Sequence, residues 1–210
     1  MTKKERAAAA VELLKQRYPV AFCSLNYKTP FQLLIATRLS AQCTDARVNL
    51  VTPALFAEFP TAESMAHAPL SRIEELIKSC GLYKTKAKSL IEISKMLVTD
   101  FGGIVPDSIE QLTKLPGVGR KTANLICGDI YGKPAVVTDT HFIRIMNRLG
   151  LIDTDMPYKA EMQARALLPP HDANAFCHRI VLHGRDTCTA RRAFCGKCNL
   201  NEICKKKGVK

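Results

Sequence analysis

Apolar residues recur at helical spacing along most of the chain, and helix-stopping residues separate the runs. The pattern is helical from Ala7 to Tyr18, where Pro19 stops it. Pro30 to Leu39 reads as a largely buried helix. Thr44 to Phe59 reads as another, although Pro53 sits awkwardly inside it. Ser71 with Glu74 forms a capping-box pattern, and Gly81 supplies a C-terminal stop. Lys84 to Phe101 is amphipathic, with Leu90, Ile93 and Leu97 on one face and Gly102-Gly103 after it. Ser108 and Gln111 suggest a second capping box, opening a short helix to Leu115. Further helices are expected from about Arg120 to Tyr131, and over Thr140–Leu149, Pro157–Leu168 and Ala173–His183. Val136-Val137 is too short to define a strand, and no hairpin chemistry stands out. The expected fold class is all-α. Lys133-Pro134 makes a plausible linker between two helical groups.

Composition narrows this picture. The chain has 210 residues and is 47% hydrophobic, enough for one sizeable core or two small ones. No run of 18 apolar residues occurs, so no transmembrane helix and no membrane partner is expected. The basic, alanine-rich N-terminus is interrupted by Glu12 and carries no secretory pattern, which makes a cytoplasmic chain the simplest expectation. Lys and Arg number 31 against 19 Asp and Glu, a net charge of +12. Such an excess favours a polyanionic partner, because each phosphate contact releases condensed counterions. Charge alone leaves ribosomal and membrane-surface roles open.

The nine cysteines are unevenly spread. Cys23, Cys43, Cys80, Cys127 and Cys177 sit among apolar neighbours and read as buried free thiols. Cys188, Cys195, Cys198 and Cys204 crowd one terminal segment with spacing x6, x2, x5. In a reducing compartment such a group reads as a metal site rather than as disulfides. Zinc and a [4Fe-4S] cluster both accept four thiolates. Zinc sites more often pair two CxxC knuckles, and only Cys195–Cys198 forms one, so the spacing leans to the iron–sulfur cluster. Arg191, Arg192 and Lys197 lie between these cysteines and either grip a DNA backbone or simply solvate the loop.

The segment Leu115-Pro116-Gly117-Val118-Gly119-Arg120-Lys121-Thr122-Ala123 joins a short helix to a longer one. Gly117 and Gly119 allow a tight turn and leave the backbone bare, while Val118 packs inward between them. The N–H groups of the second helix then point outward, and the helix dipole adds to their pull on a phosphate. With Leu-Pro before it and Arg-Lys after it, this is a helix-hairpin-helix pattern of DNA-binding proteins. Contacts of this kind position a protein on DNA without reading sequence.

Lys121 falls in the first turn of the second helix. A free lysine has a pKa of about 10.4, so roughly one in a thousand is neutral near pH 7. The helix dipole, Arg120 and desolvation against DNA all disfavour its ammonium form, which is what a nucleophilic amine needs. The plainer alternative is a lysine that neutralises phosphate. Asp139, in Val137-Thr138-Asp139-Thr140-His141, precedes an apolar-periodic helix and has a ready role as its N-cap. A capping carboxylate is also fixed and ionised, which suits the stabilisation of a cationic, sugar-like transition state.

Taken together, these pieces resemble the bacterial endonuclease III family of DNA glycosylases with abasic-site lyase activity. The matching residues are Leu39-Ser40-Ala41-Gln42, Gly81-Leu82-Tyr83, Leu115 to Ala123, Asp139-Thr140-His141, His183-Gly184-Arg185 and the four cysteines, in family order along nearly the whole chain. The resemblance implies two helical domains flanking a DNA-binding groove. One is a six-helix domain over residues 23–133; the other joins residues 1–22 to 134–210 and carries a [4Fe-4S] cluster. It implies that Lys121 attacks C1′ of the damaged nucleoside, that the resulting Schiff base proceeds to β-elimination, and that Asp139 assists deprotonation and base departure. The implied partner is double-stranded DNA containing oxidised pyrimidines or abasic sites; a monomer associated with the nucleoid is the default expectation.

Gln42 matches the family residue that fills the hole left by a flipped base, and Leu82 the wedge in the opposite strand. By local pattern alone, Gln42 is a loop amide and Leu82 is core packing after a glycine C-cap. Two departures stand out: Arg179 lies where related enzymes can carry Trp, and the loop after Cys188 lacks a common proline. Two other functions compete. An adenine glycosylase of the same superfamily usually lacks the hairpin lysine and carries a further C-terminal domain. A non-catalytic DNA-binding module would explain the charge and glycines but leaves Lys121 with Asp139 as coincidence.

Overall fold

The computed structural model describes residues 1–209. Among them are eleven α-helices, one 3-10 turn and no strand; Cys188 and Ala193 form an isolated antiparallel bridge. The all-α expectation therefore holds. No described helix is long and apolar enough to cross a membrane. The chain divides into two compact units, Cys23–Tyr131 and Met1–Phe22 with Gly132–Lys210.

The first unit contains α2 (Pro30–Leu39), α3 (Asp45–Glu58), α4 (Ala62–Ala66), α5 (Leu70–Leu76), α6 (Tyr83–Phe101), α7 (Ile109–Leu112) and α8 (Arg120–Asp129). α2 starts as its sequence dictates, with Pro30 in the first turn and the Thr29 hydroxyl accepting the Gln32 N–H at 3.2 Å. Its Leu33, Leu34, Ile35 and Leu39 are fully buried, so α2 runs through the middle of this core. Leu90, Ile93 and Leu97 present the buried face of α6, and Gly102, in the left-handed region at φ 59°, ends it. α3 continues through Pro53, and nothing in the structure explains why a proline is accepted there.

Two capping expectations fail or change. Ser71 lies inside α5, whose N-cap is Pro69 with no side-chain hydrogen bond. Gly81 does not stop that helix either, because α5 ends at Leu76. Ile77 and Cys80 in the following turns are buried, and packing these apolar anchors outweighs the local capping preference. Ser108 does cap α7, accepting the Gln111 N–H at 3.2 Å, but Gln111 reaches back only to the Ser108 hydroxyl. Capping boxes form instead at Thr2 with Glu5 and at Thr61 with Ser64.

The second unit contains α1 (Lys3–Arg17), α9 (Thr140–Leu149), α10 (Pro157–Arg165), α11 (Ala173–Asp186) and the 3-10 turn Cys195–Lys197. The Thr2–Glu5 box starts α1 four residues before its apolar pattern does. Ala7, Ala10, Val11 and Leu14 share the buried face of α1, and the helix packs on α11. Arg179 is buried at this contact, its Nε donating to the Tyr18 carbonyl at 3.1 Å, where it complements the negative end of α1. Phe142 and Phe176 meet edge to face at 6.4 Å between centroids and tie α9 to α11.

Candidate functional site

In the first unit the hairpin turn lies between α7 and α8. Leu115 and Val118 point into the core and anchor it. Gly117 has φ +71°, and a Cβ there would fall 2.8 Å from Arg38 Nε and 3.3 Å from Ser89 Oγ. Both the conformation and the space therefore demand glycine. Arg38 Nε donates to Ser89 Oγ at 2.9 Å, and that hydroxyl contacts the Pro116 carbonyl at 3.4 Å. This chain of contacts staples the turn to α2 and α6. Arg38 and Ser89 are 51 residues apart, and no local signal marks either of them.

Gly119 differs from Gly117. Its φ is −87°, and a Cβ there would meet no atom within 4 Å. It is the N-cap of α8 and caps it with no side-chain hydrogen bond, so this end of the helix carries the positive end of the dipole without a capping side chain. Arg120 follows it, and Lys121, the second residue of α8, is exposed.

Two further loops of this unit carry non-glycine residues in the left-handed region: Gln42 at φ 53° and Leu82 at φ 59°. Such conformations are uncommon in residues with a Cβ and mark sites where the surrounding structure overrides local preference. Leu82 is 60% exposed at the N-cap of α6, so it is not core packing, and Gly81 is not a left-handed C-cap. Gln42 is exposed as well. The loops touch: a Cβ on Gly81 would lie 3.5 Å from the Gln42 carbonyl oxygen.

In the second unit Asp139 is the N-cap of α9, its Oδ1 accepting the Phe142 N–H at 2.7 Å. It is half-buried and leaves a second carboxylate oxygen beyond the cap. His141, which follows, is pushed down from the ordinary imidazole range by burial, an effect that the Asp139 carboxylate opposes. Arg144 Nη2 lies 3.1 Å from His141 Nδ1 and donates to the carbonyls of Gly184 (3.3 Å) and Cys188 (2.9 Å). Gly184 permits this approach, since a Cβ there would come 2.4 Å from His141 Nδ1. Arg144 thus links the start of α9 to the cysteine loop, a role with no sequence signal beyond its charge.

The four terminal cysteines line one recess of about 300 Å³, counting the space open to solvent, with Arg148 and Phe194 among its walls. Arg148 Nη1 donates to Cys188 Sγ at 3.1 Å, and the Lys206 N–H to Cys204 Sγ at 3.3 Å. His183 Nε2 lies 3.5 Å from Cys198 Sγ. Burial pushes the Cys198 and Cys204 thiols up; backbone N–H groups of Leu200 and Lys206 pull them back, and the other sulfurs push them up again. A cationic centre would relieve that mutual repulsion, so the donor set fits a bound metal group. Among the described residues no three His, Cys, Asp or Glu side chains are gathered tightly enough to hold a single metal ion.

Arg191 and Arg192 are exposed on the loop after Cys188. The Thr189 hydroxyl closes this loop, donating to the Arg192 carbonyl at 2.7 Å and accepting the Arg192 N–H at 3.0 Å. Arg192 and Lys197 each lie 5.1 Å from the centroid of the Phe194 ring. Phe194 thus carries two cations at once, a platform that charge spacing alone does not disclose.

A helical hairpin with a bare helix N-terminus, in a chain of +12 charge with a four-cysteine loop, defines a helical protein built to meet a polyanion. The comparisons narrow that class. Residues 35–170 match the model for the HhH-GPD superfamily base excision DNA repair proteins. The chain is 47% identical over 204 residues to endonuclease III of Synechocystis sp., covering 97% of this chain and 93% of the relative. It is 41% identical over 189 residues to endonuclease III of Bacillus subtilis, covering 90% and 86%. A solved structure described as a trapped endonuclease III–DNA covalent intermediate superposes with a TM-score of 0.92 at 37% identity, covering 98% of this chain and 97% of that one. The chain belongs to the HhH-GPD superfamily and, within it, to the endonuclease III family.

Proposed function

We propose that the chain is a bifunctional DNA glycosylase and abasic-site lyase that removes oxidised pyrimidines through a Schiff base on Lys121. The observation that carries this reading is the exposed Lys121 in the first turn of α8, directly behind the uncapped N-terminus at Gly119. The positive N-terminal end of α8 and Arg120 bind one DNA phosphate, and the open space beside Gly119 lets the backbone of DNA approach. Val118 holds that turn from inside.

Neutral Lys121 Nζ attacks C1′ of the extruded nucleoside, and the base departs with the glycosidic electron pair. The secondary amine loses its proton and the sugar ring opens to an imine. Loss of a C2′ proton then expels the 3′ phosphate. The Asp139 carboxylate, held by its cap bond to Phe142, takes protons and offsets the positive charge at C1′. Gln42 fills the hole in the duplex, and Leu82, 60% exposed, wedges into the opposite strand.

Cys188, Cys195, Cys198 and Cys204 hold a [4Fe-4S] cluster, and the recess they share supports this assignment. When bound, the cluster cross-links the loop through four iron–thiolate bonds. Arg191 and Arg192, with Lys197, then meet the DNA backbone as a rigid array. The units Cys23–Tyr131 and Met1–Phe22 with Gly132–Lys210 correspond in this reading to a hairpin domain and a cluster domain. The enzyme acts as a monomer on chromosomal DNA in the cytoplasm, at the nucleoid.

A panel of duplexes, each with one lesion, tests the function. Oxidised pyrimidines should yield a strand nicked by β-elimination. Release of a base without nicking, or action on adenine mispairs alone, would overturn it.

A further inference from the structure

Outside the terminal loop the chain carries five more thiols. Two of them, Cys43 and Cys80, adjoin the loops that bear Gln42 and Leu82. Those loops approach closely, since a Cβ at Gly81 would lie 3.5 Å from the Gln42 carbonyl oxygen. The two thiols lie close enough that Cys43 adds to the upward push on the Cys80 thiol. Cys80 is 1% exposed and Cys43 is half-buried, so only Cys43 meets solvent. The third member of the cluster is Lys86, also 1% exposed, whose Nζ has no hydrogen-bond partner among the described residues. Its attractive interactions are with these two sulfurs.

We propose that Cys43 and Cys80 form a redox site, a dithiol that a hydroperoxide oxidises to a cross-link between the Gln42 and Leu82 loops, slowing lesion processing. Cys43 is the attacking sulfur, because it alone of the two meets solvent, while burial closes Cys80 off and pushes its thiol up to about 11. The Cys43 thiolate, facing the Lys86 ammonium, attacks one peroxide oxygen, breaks the O–O bond and expels hydroxide. The sulfenic acid so formed is displaced by the Cys80 sulfur, which gives up its proton as the S–S bond closes. Two thiols and one hydrogen peroxide become one disulfide and two waters, and the two electrons come from the sulfurs.

A disulfide draws its sulfurs to about 2.05 Å, well inside the van der Waals contact of two free thiols. The space between Gly81 and the Gln42 carbonyl is only large enough for a Cβ in ordinary contact, so the loops must change shape as the bond closes. Gln42 and Leu82, both held at positive φ, are displaced. The effect on turnover rests on the roles proposed above for these two residues; the cross-link itself does not.

The test uses cluster-loaded protein treated with hydrogen peroxide at a dose that leaves its visible absorption unchanged. Free thiols are then alkylated, and the unreduced digest is read by mass spectrometry. A peptide joined through Cys43 and Cys80 is expected, two hydrogens lighter than the pair. Turnover of a base-paired oxidised pyrimidine should fall roughly tenfold to a hundredfold, as ångström-scale misplacement does, and return with a thiol reductant. Cys43→Ala should match reduced wild type and ignore peroxide. Finding both cysteines alkylated, a cross-linked enzyme of full activity, or a Cys43→Ala variant as sensitive as wild type would overturn the proposal. The two readings fail separately: an enzyme inert before oxidation defeats the proposed function, whereas the joined peptide is detected without any activity.

Discussion

The Asp139 carboxylate accepts the Phe142 N–H at 2.7 Å, so the residue proposed to assist base departure also starts α9. The two roles separate by substitution. Asp139→Asn keeps an oxygen for the cap and should change stability by only a few tenths of a kcal/mol. It removes the charge, and turnover should fall by about a hundredfold or more. Asp139→Ala should lose the same activity and, in addition, about 1 kcal/mol of stability. Thermal melts beside single-turnover assays check both; an Asn variant with full activity contradicts the electrostatic role.

The hairpin glycines should respond differently. Gly117→Ala places a Cβ 2.8 Å from Arg38 Nε at φ +71°, breaking the Arg38–Ser89 staple. It should cost about 2 kcal/mol or more, from left-handed strain plus the lost contact. Gly119→Ala meets no atom of the protein within 4 Å, so it should cost under about 1 kcal/mol. Its DNA affinity should nevertheless fall, because the new methyl occupies the phosphate's approach. Denaturation midpoints and binding isotherms on the two variants distinguish these outcomes.

Phe194 holds Arg192 and Lys197 over its ring at 5.1 Å each. Phe194→Leu should remove about 0.5–1 kcal/mol per cation of preorganisation. DNA binding should weaken several-fold while the slope of log K against log salt stays the same, since no cation is lost. Arg192→Ala should instead reduce that slope by about 1. Salt titrations of the two variants are the measurement.

Removing the metal group should loosen the loop that it cross-links. Hydrogen exchange is expected to speed up across residues 187–209 and to stay unchanged in α2 and α6, whose core is made of its own apolar side chains. Iron and sulfide analysis of anaerobically purified protein should find both; stoichiometric zinc without iron would overturn the cluster.

Much of this was legible in the sequence where a local rule decides the outcome. Thr140–Leu149 and Pro30–Leu39 match the observed helices because an N-cap or first-turn proline and an apolar stripe coincide. The hairpin and the cysteine spacing were legible because their residue types have few other uses in that order. What stayed hidden was decided at long range. Ser71 and Glu74 carry the right chemistry for a cap, yet α5 starts at Leu70 behind Pro69, with Ile73 as its buried residue. The Arg38–Ser89 staple and the Arg144 link depend on which helices meet, and the Phe194 platform on how the cysteine loop folds. Thr61 with Ser64 went unseen because serine is not the usual partner in a capping box.

The account stands on Lys121 as the nucleophile. Reduction with borohydride during reaction on an abasic-site duplex should trap the enzyme on DNA, and digestion should place the sugar remnant on the peptide containing Lys121. Lys121→Ala should trap nothing. A variant that traps as well as wild type, or a remnant on another amine, would contradict it.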